Sequence, residues 1–186
     1  CHRLDKETSG ALAIAKNQDA YRNLAIQFES REVSKVYHAV CEGLHEFKQL
    51  DINLPILKMS NGLVKIDKLK GKEAQTIVNT LRAYRKHTLV ECRPVSGRLH
   101  QIRIHLASQN ASIAGDDKYG GEPVFLSTIK RKFNLKKDTE EQPLMKRVSL
   151  HAYSLTFKDI NGEVISVVAD YPKDFAVLIS QLEKNS

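Results

Sequence analysis

A carboxylate set among cations, hydroxyls and a glycine opens this chain, in the string His2-Arg3-Leu4-Asp5-Lys6-Glu7-Thr8-Ser9-Gly10. The string has no evident packing purpose, and an ionised aspartate such as Asp5 is a group that attacks an electron-poor carbon or takes up a proton. The plainer expectation is that Asp5 is a helix or turn cap and that Thr8, Ser9 and Gly10 make an ordinary turn. A second loaded block runs from Val95 to Ala107 and carries Arg98, His100 and Arg103. Read as a helix, it buries Leu99, Ile102 and Leu106 and brings Arg103 out beside that stripe. A guanidinium there needs a carboxylate, because an unpaired buried charge is costly. Ile102, Ile104 and Leu106 also alternate as a strand would, so the period leaves both readings open. A third block, Lys35 to Gly43, puts Tyr37 on an alternating run, where a tyrosine is ordinarily core.

Two other chemistries fall away on spacing. His100 and His105, with His2 or Cys92, invite a metal, but a separation of five is not the i, i+4 of a helical zinc pair, and no Cys-x-x-Cys occurs. No metal is expected. Gly71-Lys72 lacks the preceding glycine and following hydroxyl residue of a phosphate loop, so nucleoside triphosphate use has no support.

The elements that must position these residues follow from periodicity and breakers. Ala11 to Ala15 reads as a buried strand. Asn17 is placed to cap a helix whose apolar face is Ala20, Leu24, Ala25 and Phe28, ending near Ser30. Val33 to Cys41 is a β-branched strand with Tyr37, Ala39 and Cys41 on one face and Val36, His38 and Val40 on the other. Leu44 to Lys72, broken by Pro55, Asn61-Gly62 and Gly71, reads as exposed loops with short strands. One hairpin joins Ala74–Tyr84 to Thr88–Pro94, and a second turns at Asn161-Gly162 between Ser149–Phe157 and Val164–Ala169. Few helices and several antiparallel strands imply an α+β fold, a mixed and largely antiparallel central sheet flanked by a few helices and long loops. Glu122 to Arg147, with basic clusters Lys130-Arg131-Lys132 and Lys136-Lys137 around Asp138, Glu140 and Glu141, reads as a mobile, solvated insertion.

At 186 residues the chain fits one domain with a real core. No apolar run is long enough to span a bilayer, and no signal peptide is visible. The 29 Lys and Arg against 22 Asp and Glu leave a net charge of +7, which suits a polyanionic partner through counterion release. Cys1, Cys41 and Cys92 are widely spaced and odd in number, which argues against a disulfide framework and fits a reducing cytoplasm.

The opening string closely resembles HRLDxxTSG, the signature of the RluA-type pseudouridine synthases. Lys35-Val36-Tyr37-His38-Ala39-Val40-Cys41-Glu42-Gly43 is similar to that family's KxYxAxxxG pattern, and Gly97 to Ala107 to its GRxHQIRxHLA motif. Ile113-Ala114-Gly115-Asp116-Asp117-Lys118-Tyr119-Gly120 resembles the IxGDxxYG continuation. The matches stand in family order over almost the whole chain. The resemblance implies an enzyme that isomerises uridine in ribosomal or transfer RNA and needs no cofactor. It makes Asp5 the catalytic residue, Tyr37 the ring that stacks on uracil and helps remove the carbon-5 proton, and Arg103 the partner that holds Asp5 ionised. An arginine in contact typically lowers an aspartate pKa by about 1–3 units. The target base must leave its stack, with Arg3 a candidate to fill the space, while Arg98 and His100 are read as phosphate and sugar contacts.

The same resemblance marks residues 1–186 as the catalytic domain and leads one to expect further strands before Cys1; a shortened sheet with an unpaired edge would favour association. The alternative is an RNA-binding domain that keeps the fold without turnover, and a weaker one is a hydrolase of free nucleosides.

Overall fold

The computed structural model describes residues 2–135 and 139–186. Cys1 and the Lys136, Lys137 and Asp138 part of the proposed insertion lie outside the described residues. The elements are β1 (Ser9–Gly10), α1 (Gln18–Glu29), β2 (Ser34–Glu42), β3 (Leu50–Asn53), β4 (Ile56–Lys58), β5 (Val64–Ile66), β6 (Gln75–Ala83), β7 (His87–Pro94), α2 (Gln101–Ala107), a 3-10 turn (Asp117–Tyr119), α3 (Leu126–Ile129), β8 (Leu150–Lys158), β9 (Val164–Val168) and α4 (Lys173–Lys184).

The main sheet runs β1-β8-β2-β7-β6-β3, with β9 also paired to β8, and β4 and β5 form a separate two-stranded lobe. Every pairing is antiparallel except that of β1 with β8. This is the expected α+β architecture, with both hairpins in place.

The period-2 alternation of β2 divides the core as expected. Ala39 and Cys41 point into a cluster with Val78, Val90, Cys92, Ile102 and Leu106, so α2 covers this face. Val40 points the other way, toward Phe175, Leu178 and Leu182 of α4 and toward Val124, Ile129 and Met145. The last three residues correct the reading of Glu122 to Arg147 as a solvated excursion. Its two limbs are tied together by Leu144 N–H donating to Val124 O at 2.8 Å, and buried apolar side chains pin both to the core.

α1 begins at Asn17, whose side chain accepts from Ala20 N–H at 2.9 Å, the expected cap. Its buried face includes Leu24 and, unexpectedly, Gln27. The Gln27 amide donates to Lys158 O and accepts from Lys158 N–H, both at 2.8 Å, and so completes the hydrogen bonding of that β8 residue.

The expected strand over Ala11 to Ala15 does not form. Gly10 has φ +118°, and a Cβ there would sit 2.1 Å from Ala152 O, so the backbone passes β8 closer than any side chain allows. Ala11 N–H still bonds Ala152 O, but from Ser154 onward β9 occupies that edge of β8. The run therefore has no ladder partner, and Leu12 and Ile14 are 46% and 79% exposed. The run is as apolar as a buried strand would be, but strand identity depends on a non-local partner that pattern cannot supply.

On the α4 side of the sheet, His38 stacks on Tyr153 with ring centroids 4.0 Å apart and bonds the Tyr171 hydroxyl through Nδ1 at 2.5 Å. Burial pushes its pKa down to about 4, with Glu91 opposing and His151 adding to the shift. The unfolded chain therefore binds a proton near pH 6.5 that the folded chain refuses until about pH 4. This contribution to stability is complete above pH 6.5 and is lost as the pH falls toward 4. Urea unfolding at pH 7 and pH 5 should differ by about 2 kcal/mol from this residue, and His38→Asn should remove that part of the difference. An undiminished difference in the variant would assign the acid sensitivity to other histidines whose pKa burial lowers, His87 and His105 among them.

Candidate active site

A seven-residue helix fixes the centre of the site. α2 starts after His100, which adopts a left-handed backbone (φ 50°), so the ambiguity of the block resolves as a turn followed by a helix. Gln101 locks the turn with all its amide capacity. Its Oε1 accepts from the Ser96 hydroxyl at 2.7 Å and from Arg98 N–H at 3.0 Å, while its Nε2 donates to Gln75 O and Thr76 Oγ1. One turn on, His105 is held between Thr76 Oγ1 and Leu54 O, both at 2.9 Å. Both ring nitrogens are thus committed to structure. Among the described residues no three His, Cys, Asp or Glu side chains cluster as metal ligands.

Arg103 is 5% exposed and has the carboxylate its position demands, but that carboxylate is not Asp5. Nε donates to Asp116 Oδ2 at 2.7 Å and Nη2 to Oδ1 at 2.5 Å, a bidentate pair with an aspartate that is fully buried. Burial opposes the Arg103 charge, but the Asp116 bonds, together with the charges of Asp116 and Asp5, raise its pKa. Asp5 lies beyond ion-pair distance and is felt through its field. The guanidinium also sits 5.0 Å over the Tyr119 ring, and the Tyr119 hydroxyl accepts from Val64 N–H and bonds His100 Nδ1 at 2.7 Å.

These elements surround a cleft of about 860 Å³. Asp5, Tyr37, Arg103, Arg3 and Arg98 all line it, so five of the six residues singled out in the sequence converge. His100 does not line it; it faces Tyr119, and burial lowers its pKa, with Arg103 acting in the same direction. Tyr37 sits at the β-bulge of β2, where the register against β8 shifts between Val36 and Tyr37. Burial, reinforced by the Asp5 charge, pushes its hydroxyl pKa up to about 12, so the ring enters the cleft as a neutral phenol.

The cleft also holds residues that sequence reasoning gave no role. Lys35 donates to Ser96 O at 3.2 Å, and burial followed by the nearby Arg31 charge lowers its pKa. With Arg31 and Arg98 it makes one wall cationic. Lys35 stood in a quoted motif two residues before Tyr37, and that parity was a usable signal. Asp116 was equally visible, since a buried arginine requires a carboxylate and this one follows thirteen residues later.

A family model of RNA pseudouridylate synthases matches residues 1–108. The ribosomal large subunit pseudouridine synthase C of Buchnera aphidicola is 40% identical over 160 residues, 84% of this chain and 47% of that protein. The ribosomal large subunit pseudouridine synthase D of Neisseria meningitidis serogroup A is 37% identical over 186 residues, 97% of this chain and 47% of its own. The solved structure of human RNA pseudouridylate synthase domain containing 4 superimposes with a TM-score of 0.76 at 25% identity, over 98% of this chain and 75% of that one. The fold is that of an RNA-modifying isomerase family. The chain belongs to the RNA pseudouridylate synthases of the RluA type and spans about half the length of the curated relatives it matches.

Replacing Asp116 by asparagine leaves Arg103 buried with no counter-charge. Equilibrium unfolding is expected to show a loss of about 3–5 kcal/mol. A loss below about 1 kcal/mol would mean that water or Asp5 can take over the role.

Proposed function

We propose that this chain carries the catalytic domain of an RNA pseudouridine synthase that isomerises uridine in large-subunit ribosomal RNA. The observation that carries the reading is the convergence of Asp5, Tyr37, Arg103 and Arg98 on one cleft. The names of the relatives support ribosomal RNA as the substrate.

In this reading the Asp5 carboxylate acts on the sugar, either attacking the anomeric carbon or taking the proton from carbon 2′ on a glycal route. The bond from the anomeric carbon to N1 of the base breaks, the base turns within the cleft, and carbon 5 bonds the anomeric carbon as Asp5 leaves it or returns the proton to carbon 2′. Carbon 5 then gives up its proton and N1 gains one. No water enters the balance, so a second carboxylate to activate water is unnecessary. Tyr37 stacks on the uracil, and with a pKa near 12 it works as a hydrogen-bonding phenol rather than as a phenolate base.

The target base must be unpaired or extruded, and Arg3, exposed at the cleft, fills the vacated space. Arg98, Arg31 and Lys35 hold phosphates. Lys35 spends one of its three donors on Ser96 O among the described residues, which leaves capacity for an anion. A reducing compartment such as the cytoplasm fits the chain, since Cys41 and Cys92 are buried and unpaired. No helix among the described residues is long and apolar enough to cross a membrane.

The test is release of tritium from carbon 5 of uridine in ribosomal RNA lacking the modification. Asp5→Asn is expected to reduce turnover at least about 1,000-fold while the Kd for RNA stays within about twofold, because the carboxylate carries chemistry and the cations carry affinity. Turnover retained in that variant would overturn the assignment of Asp5.

A further inference from the structure

Among the described residues, no hydrogen bond or ion pair holds the Asp5 carboxylate, so its direction is set by the backbone that carries it. That backbone is a tight turn, with Thr8 N–H donating to Asp5 O at 2.9 Å, followed directly by β1. What fixes the turn is remote in sequence. Arg147, on the segment entering β8, donates through Nη1 to Glu7 O at 2.9 Å and to Leu150 O at 3.4 Å. Its Nη2 donates to Ser9 Oγ at 3.0 Å and to Asp174 Oδ1 at 3.1 Å, and its Nε to Asp174 Oδ2 at 2.8 Å. All five guanidinium donors are thereby used, one on the turn at Glu7 O, one on Ser9 of β1, two on Asp174 and one on β8.

The Ser9 hydroxyl is shared. His151 Nε2 faces Ala169 O at 3.0 Å, which puts the ring proton there and makes Nδ1 the acceptor for Ser9 Oγ–H at 2.9 Å. Ser9 thus accepts from Arg147 and donates to His151. Asp174 stands in the first turn of α4, so one fork joins the C-terminal helix, the sheet and the turn. The Arg147 side chain is mostly buried, 21% exposed, and its bonds go to main-chain and polar atoms. Lysine, with one point charge, cannot reproduce the fork.

We infer that Arg147, clamped by Asp174, is the positioning residue of the Asp5 turn and makes the docking of α4 a determinant of kcat. The inference rests on the reading of Asp5 as the catalytic carboxylate. It acts through Glu7 O and Ser9 Oγ, two and four residues along the chain from Asp5. A misplacement of about 1 Å at a reacting group can cost about 100-fold in rate.

Arg147→Lys and Asp174→Asn separate positioning from bulk stability when kcat, KM and amide exchange are measured on the folded protein. Both variants should lower kcat by about 10- to 100-fold with KM for RNA within about twofold. Exchange at Thr8 N–H should quicken at least about tenfold while the amides of the β6–β7 hairpin stay protected. Unchanged kcat, or faster exchange spread over the whole sheet with full turnover per folded molecule, would overturn the inference. If the unmodified sequence binds ribosomal RNA without turnover, the synthase reading fails instead. The exchange arm then decides the clamp alone, with quickening confined to the turn supporting it and unchanged exchange sinking it.

Discussion

The buried pair of Arg103 and Asp116 is the constraint around which the site is arranged. Two full charges removed from water are tolerable only with good geometry and further bonds, and both conditions hold here through the bidentate contact and the Tyr119 ring. The pair ties α2 to the segment before the 3-10 turn, and Tyr119 ties that turn to β5 through Val64 N–H. Three pieces of chain with little regular structure of their own are thereby held beside the sheet. A cation that is already paired can lend its field to Asp5 without collapsing onto it. The Asp5 carboxylate stays open to the cleft while that of Asp116 does the anchoring.

The rest of the fold supplies walls. β2 brings Tyr37 to the cleft through a bulge in an otherwise regular ladder, and a bulge re-aims side chains in this way. The Gln101 amide converts the end of β7 into the start of α2 with no loose backbone between, which sets where Arg98 and Arg103 emerge. On the other face, α4 seals the sheet with Phe175, Leu178 and Leu182. The site is therefore built on rigid elements on one side and on a braced turn on the other.

Much of this was legible in the residues. Asn17 announced its helix, Asn161-Gly162 its hairpin, and the alternation about Ala39, Val40 and Cys41 both faces of the sheet. Local chemistry and short-range period decide these features, and both are written in adjacent residues. Ala11 to Ala15 shows the limit, since its apolar run suits a buried strand while the edge of β8 belongs to β9. Arg103 shows another: its need for a carboxylate could be read from an apolar stripe, but the choice between Asp5 and Asp116 is a matter of three-dimensional distance. The family resemblance favoured Asp5, and the geometry gives the direct contact to Asp116. Arg147 lay in a segment taken for a solvated insertion, so nothing in its own neighbourhood marked it.

The sheet ends, at β9, in a strand that is exposed along its whole length. Val164, Ile165, Val167 and Val168 face solvent, with Leu12, Ile14 and Ile160 nearby. Such an edge is a template for pairing with another copy, and no lysine or proline interrupts it between Val164 and Val168. What opposes pairing is the net charge of +7, a repulsion with a reach of about 10 Å at 0.1 M salt. Ionic strength therefore acts on this molecule as a colloid. Raising it weakens the hold on a polyanion and, by the same screening, lets the apolar edges approach. Any polyanion that binds would discharge the surface and so remove the repulsion between copies. Association of the free chain is then governed by electrostatics, and in a charge-neutralised state by how well whatever is bound keeps the edges apart.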